Sequence, residues 1–207
     1  MNVAVIYYSS TGNAYRVAQA VEEGAQTAGA EVRLRKVREL APDEAIASNK
    51  GWEQHRAATQ HVPEATLADL EWADGFAFGT PTRFGAMSAQ LKQFLDTTGP
   101  LWMKGALADK AATAFVGSSY PHGGQETTLM TIYNMMYHWG AVIVPTGYTD
   151  PAIAKAGGNP YGTSYTDPRG GSLPDEVLAA ARFQGARLAR YAGVLAANRA
   201  RLRGTPA

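Results

Sequence analysis

"NVAVIYYSSTGNAYRVAQAV" occupies residues 2–21 and joins two different hydrophobic patterns. The run Val3–Ile6 is short, apolar and β-branched, which predicts a buried strand. From Ala14 onward the apolar residues recur at helical spacing, and Gly29 is placed to end the helix. Small and hydroxyl-bearing residues separate the two patterns. The stretch therefore predicts a strand, a loop and a helix in that order.

The same alternation continues along the chain. "AEVRLRKV" predicts an edge strand with charged residues on one face, and "DGFAFGT", "KAATAFVGSS" and "AVIVP" predict three buried strands, the last ended by Pro145. Helical spacing marks "EATLADLEWA", "MSAQLKQFLDTTG", "GGQETTLMTIYNMMYHWG" and the segment from Leu178 to Leu195. Strands that alternate with helices indicate an α/β fold. We expect a doubly wound, five-stranded parallel sheet of order 2-1-3-4-5 with helices on both faces.

The length of 207 residues fits a single domain over residues 1–207. Two long loops are predicted within it, at about residues 38–63 and 147–173. The first holds a predicted short helix near Asp43 to Ala47. Both loops exceed what a minimal α/β domain needs, and such loops are usually functional or interfacial.

Composition excludes several classes of function. The net charge of +1 gives no reason to expect binding to nucleic acid or to an anionic membrane, and no apolar run reaches the length of a membrane span. The first residues read as a strand rather than a leader, so we expect a cytoplasmic protein. The absence of cysteine excludes disulfides, thiolate catalysis and zinc–thiolate sites.

Three unusual loops follow strands 1, 3 and 4 of the predicted sheet. Ligands of open parallel sheets bind beyond the carboxyl ends of the strands, at the point where the strand order reverses, and these loops meet there. Their sequences are "SSTGNA" at 9–14, "TPTRFGAMS" at 80–88 and "SSYPHGGQE" at 118–126.

The first loop leads into a helix N-terminus, where free N–H groups and the helix dipole favour an anion. Neither GxxxxGK[ST] nor GxGxxG is present, so a nucleoside triphosphate or a Rossmann-bound dinucleotide is not expected. A single phosphate monoester fits the hydroxyls of Ser9, Ser10 and Thr11. A simple N-cap that binds nothing is the alternative.

The second and third loops carry groups suited to a flat ring. Arg83 and Phe84 could border such a ring, or form a surface turn. Gly123 and Gly124 permit close approach of backbone amides. His138, at the end of the following helix, could reach the same cleft or be purely structural.

This chain lacks the residues that other functional classes with this fold need. A low-molecular-weight tyrosine phosphatase needs a cysteine in the first loop, and there is none. A receiver domain needs an acidic cluster after strand 1 and a phosphoacceptor aspartate after strand 3, where this chain carries hydroxyl residues and Thr80, Pro81 and Thr82. The four histidines, His55, His61, His122 and His138, lack compact ligand spacing, so no metal site is predicted. The hydrolase motif GxSxG is also missing.

The motifs together resemble a known family. "SSTGNA" is similar to the phosphate loop of flavodoxins, and "FGTPTRFGAMSAQLKQFLDTTGPLW", "GGQETTL", "HWGAVIVPTGY" and "NPYG" resemble the WrbA family of NAD(P)H:quinone oxidoreductases. The likeness runs from Val3 to about Ala192. It implies a flavodoxin-like fold, tightly but non-covalently bound FMN and a homotetramer. It also implies two-electron, ping-pong hydride transfer from NADH or NADPH through FMN to small-molecule quinones, giving hydroquinones.

The resemblance also implies roles for particular residues. Arg83 and His138 would stabilise the flavin, without any nucleophile or general base, while Trp102 and Thr11 would contact the substrates. Trp102 would wall the quinone site and reach toward a neighbouring subunit's flavin. The residues expected to bind the cofactor are Ser9, Ser10, Thr11, Gly12, Asn13, Ala14, Pro81, Thr82, Arg83, Phe84, Gly85, Ser118, Ser119, Tyr120, Pro121, His122, Gly123 and His138.

The sequence departs from the family pattern at several of these positions. An aromatic residue is common where Thr11 stands, a histidine where Asn13 stands, and an asparagine where Ala86 stands. Tyr120 and His122 add bulk to a loop that is usually rich in glycine and threonine. A flavodoxin-like electron carrier is therefore the alternative function, although the sequence pI of about 8.0 argues against an acidic carrier. The basic tail "NRARLRG" is the only support for a regulatory or nucleic-acid partner, and a solvated helix end explains it.

Overall fold

A computed structural model describes residues 1–168 and 171–204. Its strands are β1 (Asn2–Tyr7), β2 (Glu31–Lys36), β3 (Gly75–Pro81), β4 (Ala111–Ser118), β5 (Val142–Ile143) and β6 (Ser164–Thr166). The sheet has the order β2-β1-β3-β4-β5, all pairs are parallel, and β6 also pairs with β4. The predicted strand order is confirmed.

The long helices cover the two faces of this sheet. Alternate residues of β1 point to opposite sides, so that Val3 and Val5 join one buried cluster and Ala4 and Ile6 join the other. The first cluster is covered by α1 (Asn13–Thr27) and α9 (Asp175–Leu202), and the second by α4 (Leu67–Trp72), α5 (Ala89–Asp96), α6 (Gly99–Met103) and α7 (Gln125–Trp139). No helix in the described ranges is long and apolar enough to cross a membrane.

Two glycines let α1 and α9 approach each other closely. A Cβ atom at Gly24 of α1 would lie 1.9 Å from the carbonyl oxygen of Arg182, and one at Gly185 of α9 would lie 1.9 Å from that of Val21. Real Cβ atoms do not come so near to backbone atoms. The two helices can therefore pack this closely only because both positions are glycine.

The fifth strand is split, which corrects the prediction that "AVIVP" forms all of it. β5 pairs with Ala111 and Ala112 of β4, and β6 pairs with the end of the same strand from Val116. Pro145 has no N–H to continue the ladder, so the chain leaves the sheet after Val144 and returns at Thr163. The segment between them holds α8 (Pro151–Lys155). The long loop predicted at 147–173 thus contains a helix and a strand, and its residues 169 and 170 lie outside the described ranges.

A buried glutamine fills the gap that the split leaves beside β4. Gln184 of α9 accepts a hydrogen bond from the N–H of Thr163 at 2.9 Å, and its Nε2 donates to the Thr113 hydroxyl and to the carbonyl oxygen of Ala114 at 2.7 and 2.8 Å. The N–H of Ala114 is satisfied by the Tyr133 hydroxyl at 3.3 Å. Side chains thus replace the missing part of a strand.

The long excursion at 38–63 carries two helices. The predicted helix α2 (Asp43–Ala47) is confirmed, and α3 (Lys50–Ala58) was not predicted because no apolar stripe marks it. Long-range contacts hold α3 in place: the Nε1 of Trp52 donates to the carboxylate of Glu39 at 3.0 Å. Asn49 caps its first turn by accepting from the N–H of Trp52 at 3.2 Å.

Candidate functional site

The three predicted loops converge at the carboxyl edge of the sheet. They enclose an open pocket of about 220 Å³ between the ends of β1, β3 and β4. The predicted residues that line this pocket are Ser9, Ser10, Thr11, Asn13, Ala14, Pro81, Thr82, Arg83, Ser118 and Ser119.

The first loop presents the N-terminus of α1 to the pocket. Gly12 has a φ of 103°, a left-handed conformation that favours glycine, and its N–H donates to the Ser9 hydroxyl at 3.0 Å. Within the described residues no side chain caps the helix at this end. The N–H groups of the first turn and the positive end of the helix dipole therefore face the pocket, where they suit a phosphate monoester.

The second loop is a tight turn stabilised by its own backbone. The N–H of Arg83 donates to the carbonyl oxygen of Ala86 at 2.7 Å, and the N–H of Ala86 donates to the carbonyl oxygen of Arg83 at 3.1 Å. Phe84 at its tip is fully exposed and has a φ of 53°, unusual for an aromatic residue. A strained backbone that presents an exposed ring beside a pocket is typical of a contact surface.

The third loop packs directly against the second. A Cβ atom at Gly124 would lie only 2.8 Å from the Cα of Gly85. The Thr128 hydroxyl donates to the Thr82 hydroxyl at 2.7 Å, and that oxygen also accepts from the N–H of Gly85 at 3.2 Å. The two loops therefore form one unit, and we expect them to move together.

Three pocket residues were missed by the sequence analysis. These are Gly117, Tyr165 and Asp167, of which the last two lie on or directly after β6. The Asn13 side chain donates to the carboxylate of Asp167 at 3.3 Å, which ties the first loop to the returning chain. Burial raises the pKa of Tyr165, and the nearby carboxylate of Asp167 raises it further, so its hydroxyl stays protonated. The run "TSYT" between a glycine and "DP" was the strand signal that could have found them.

Several predicted residues lie in the three loops without lining the pocket. Tyr120, Pro121 and His122 are exposed in the third loop. Four further predicted residues belong to the loops around the pocket but do not line it, namely Gly12, Phe84, Gly85 and Gly123.

His138 and Trp102 are not brought to the pocket of their own chain. His138 lies thirteen residues after Gln125, at the opposite end of α7 from the third loop, which is about 20 Å along the helix axis. The Nε1 of Trp102 donates to the carbonyl oxygen of His138 at 2.8 Å, so these two residues share a second, distant surface. The expectation that His138 enters the same cleft as Arg83 is wrong within one chain.

A hydrogen-bonded network lies beside the first loop. The carboxylate of Glu39 accepts from the Tyr8 hydroxyl at 3.0 Å, from Nε2 of Gln90 at 2.8 Å and from the N–H groups of Leu40 and Ala41 at 2.9 and 3.0 Å. Burial alone would raise the pKa of Glu39, but these hydrogen bonds outweigh it and lower the pKa. In the described residues no cluster of side chains could hold a metal ion.

Comparisons with known proteins show which family the chain resembles. The model of the NADPH-dependent FMN reductase family matches residues 1–153. A relative from Deinococcus radiodurans named NAD(P)H dehydrogenase (quinone) is 51% identical over 166 residues, covering 80% of this chain and 83% of that protein. A relative of the same name from Geobacter sulfurreducens is 45% identical over 203 residues, covering 94% of this chain and 99% of its own. The crystal structure of a WrbA-like flavodoxin from Agrobacterium tumefaciens superposes with a TM-score of 0.67 at 26% identity, covering 93% of this chain and 98% of that one.

Proposed function

This chain belongs to the NADPH-dependent FMN reductase family, within its WrbA-like members, and from that premise we propose that it is an FMN-dependent NAD(P)H:quinone oxidoreductase. The observation that carries the proposal is the pocket where three loops meet at the uncapped N-terminus of α1. That arrangement suits a phosphate-bearing planar cofactor.

The residues present fit FMN. The α1 N-terminus, with Ser10, Thr11 and Asn13 around it, would hold the phosphate, and the paired second and third loops would hold the ring and its side chain. When bound, FMN supplies two-electron hydride transfer between a reduced nicotinamide and a quinone. The protein needs no nucleophile for this chemistry.

Arg83 supplies the permanent positive charge at the mouth of the pocket. Its charge lowers the pKa of Tyr8 and of Tyr165, although only as a minor influence on each. A fixed cation at this position would stabilise negative charge that develops during hydride transfer. The nicotinamide and the quinone would use the same open face in turn, which gives ping-pong kinetics.

The proposal includes a homotetramer in which a second copy completes each site. Trp102 and His138 lie about one helix length from their own pocket, and both are exposed. Phe84 and Met103 add fully or largely exposed apolar side chains that an assembly would cover. Another subunit's Trp102 and His138 could then border the flavin. We also propose a cytoplasmic location, where reduced nicotinamides are formed.

Reduction of benzoquinone by NADH with the FMN-loaded protein tests the function. We expect flavin absorption bands in the purified protein and turnover far above that of free FMN. Turnover equal to that of free FMN would sink the enzyme proposal and leave an electron carrier.

Gly12→Ala tests the place of the phosphate. The left-handed φ of Gly12 disfavours a side chain, so FMN affinity, measured by flavin fluorescence quenching, should fall about tenfold. Gly29→Ala is the matched control, because Gly29 also has a positive φ, of 87°, but lies after α1 with open space around it. Equal effects of the two substitutions on FMN affinity would place the phosphate elsewhere.

A further inference from the structure

A groove separates α1 from α3 and opens into the flavin pocket. Its volume is about 680 Å³, and it shares Thr11, Asn13 and Asp167 with the pocket. Side chains from both helices line much of the rest, namely Tyr15, Arg16, Gln19, Gln54, His55 and Ala58, and Gly12, Gly51 and Gly171 complete it.

Helix α3 lies directly over the first loop. A Cβ atom at Gly12 would be 3.4 Å from Nδ1 of His55, and one at Gly51 would be 3.9 Å from the Thr11 methyl group. The groove therefore begins where the flavin phosphate would sit, and a ligand could pass from the pocket into it without leaving the protein surface.

The groove offers a cation that the fold does not use. Arg16 is exposed on the first turn of α1, and within the described ranges its guanidinium makes no hydrogen bond or ion pair. A guanidinium of this kind matches the geometry of a phosphate monoester. The amides of Gln19 and Gln54 lie in the same groove and can both donate and accept hydrogen bonds.

The groove is lined by the rings of Tyr15 and His55, and the buried ring of Tyr7 lies behind Tyr15. The Tyr15 ring stacks on that of Tyr7 at a centroid distance of 5.4 Å, and the His55 ring tilts against Tyr15 at 5.6 Å. Burial lowers the pKa of His55, and the charge of Lys36 lowers it further, so the ring is neutral near pH 7. Neutral aromatic rings provide a stacking surface for a nucleobase.

We propose that this groove binds the adenosine 2′-phosphate portion of NADPH, with Arg16 contacting the 2′-phosphate and the rings of Tyr15 and His55 supporting the adenine. The proposal rests on the proposed function, because it gives a place to the distal end of a nicotinamide cofactor whose reactive end would lie at the flavin. It predicts that the protein prefers NADPH to NADH.

Calorimetry with the FMN-loaded protein tests the groove without any turnover. Adenosine 2′,5′-bisphosphate should bind at least about tenfold more tightly than adenosine 5′-monophosphate, because only the former carries the 2′-phosphate. Arg16→Gln should abolish this preference, and Arg16→Lys should restore part of it. Arg190→Gln is the matched control, since Arg190 is an exposed arginine of α9 outside the groove, and it should keep the full preference.

The outcomes separate this inference from the proposed function. Equal binding of the two nucleotides, or an unchanged preference in Arg16→Gln, would overturn the inference even if quinone reduction proceeds. If the preference is present and Arg16→Gln removes it, the groove binds the nucleotide as proposed, even in a protein that fails to reduce quinones. In the active protein, Arg16→Gln should raise KM for NADPH about tenfold relative to KM for NADH.

Discussion

Gln184 is a buried polar residue whose amide completes the sheet. It is 1% exposed, and its three hydrogen bonds join α9 to Thr113, Ala114 and Thr163. Gln184→Leu would keep most of the volume but leave the N–H of Thr163 and the carbonyl of Ala114 without these partners. We expect the free energy of unfolding to fall by about 2–4 kcal/mol, since buried unsatisfied groups cost about 1–3 kcal/mol each. Urea unfolding measures it.

Gln26→Leu is the control for that substitution. Gln26 lies on the exposed surface near the end of α1, so the change should alter stability by less than about 0.5 kcal/mol. A loss in Gln184→Leu no larger than that in Gln26→Leu would mean that the hydrogen bonds of Gln184 do not stabilise the fold.

Glu39 makes stability depend on pH. Its hydrogen bonds lower its folded pKa below the ordinary value of 4.5, so its contribution is present above that value and is lost as the pH falls through the lowered folded pKa. Glu39→Gln cannot titrate. We expect this variant to be less stable than the parent at pH 7, with the difference shrinking steadily below about pH 4.5. Denaturant unfolding across pH 3–7 measures it, and a difference independent of pH would contradict the role of the carboxylate.

At the scale of elements, two glycines of α9 should respond differently to the same substitution. Gly185→Ala would place a methyl group 1.9 Å from the backbone carbonyl of Val21, which has to move. Gly193→Ala would meet only the flexible side chain of Met1, at 3.2 Å from its sulfur. We expect Gly185→Ala to lower the free energy of unfolding by about 2 kcal/mol or more. Gly193→Ala should be neutral or should stabilise the protein by up to about 1 kcal/mol, because alanine favours the helix. Thermal unfolding of the two variants compares them, and equal losses would argue against a close helix contact at Gly185.

The elements that the sequence predicts are those with a strong hydrophobic period. The strands from Val3, Phe76 and Ala112 and the long helices carry such periods, and all are present. Helix α3 lacks a hydrophobic period. It is stabilised instead by the Asn49 cap and by the hydrogen bond from Trp52 to the carboxylate of Glu39. The return of the chain as β6 was equally hidden, since the gap beside β4 is filled by Gln184, more than twenty residues further along the chain. Tertiary hydrogen bonds of this kind leave no local pattern.

At the scale of the molecule, the strand order followed from the alternation of elements, and that order placed the three loops together. His138 follows the third loop in the sequence, but the length of α7 carries it away from that loop. A helix of fifteen residues runs about the full length of the neighbouring strands, so its last turn lies at the opposite end of the strands from its first. The pocket residues Tyr165 and Asp167 depended on the unforeseen return of the chain.

The proposed homotetramer predicts the mass of the particle in solution. Light scattering at micromolar concentration should give about four times the 22.0 kDa mass of one chain. Met103→Asp would put a charge on an exposed apolar side chain next to Trp102, so it should shift the mass toward smaller particles and lower quinone turnover. The matched control is Lys104→Asp, which alters the neighbouring polar position. A 22.0 kDa particle for the parent protein would refute the tetramer.

The break in the fifth strand divides the chain beside β4 into β5, which pairs with the start of β4, and β6, which carries a residue of the pocket. Residues 144–163 leave β4 and rejoin it, while Gln184 and Tyr133 supply the hydrogen bonds between the two points. The segment between them is therefore not needed for the hydrogen bonds of β4 at Ala114. Because it re-enters the sheet just before Tyr165, changes in the segment alter the immediate surroundings of the pocket first.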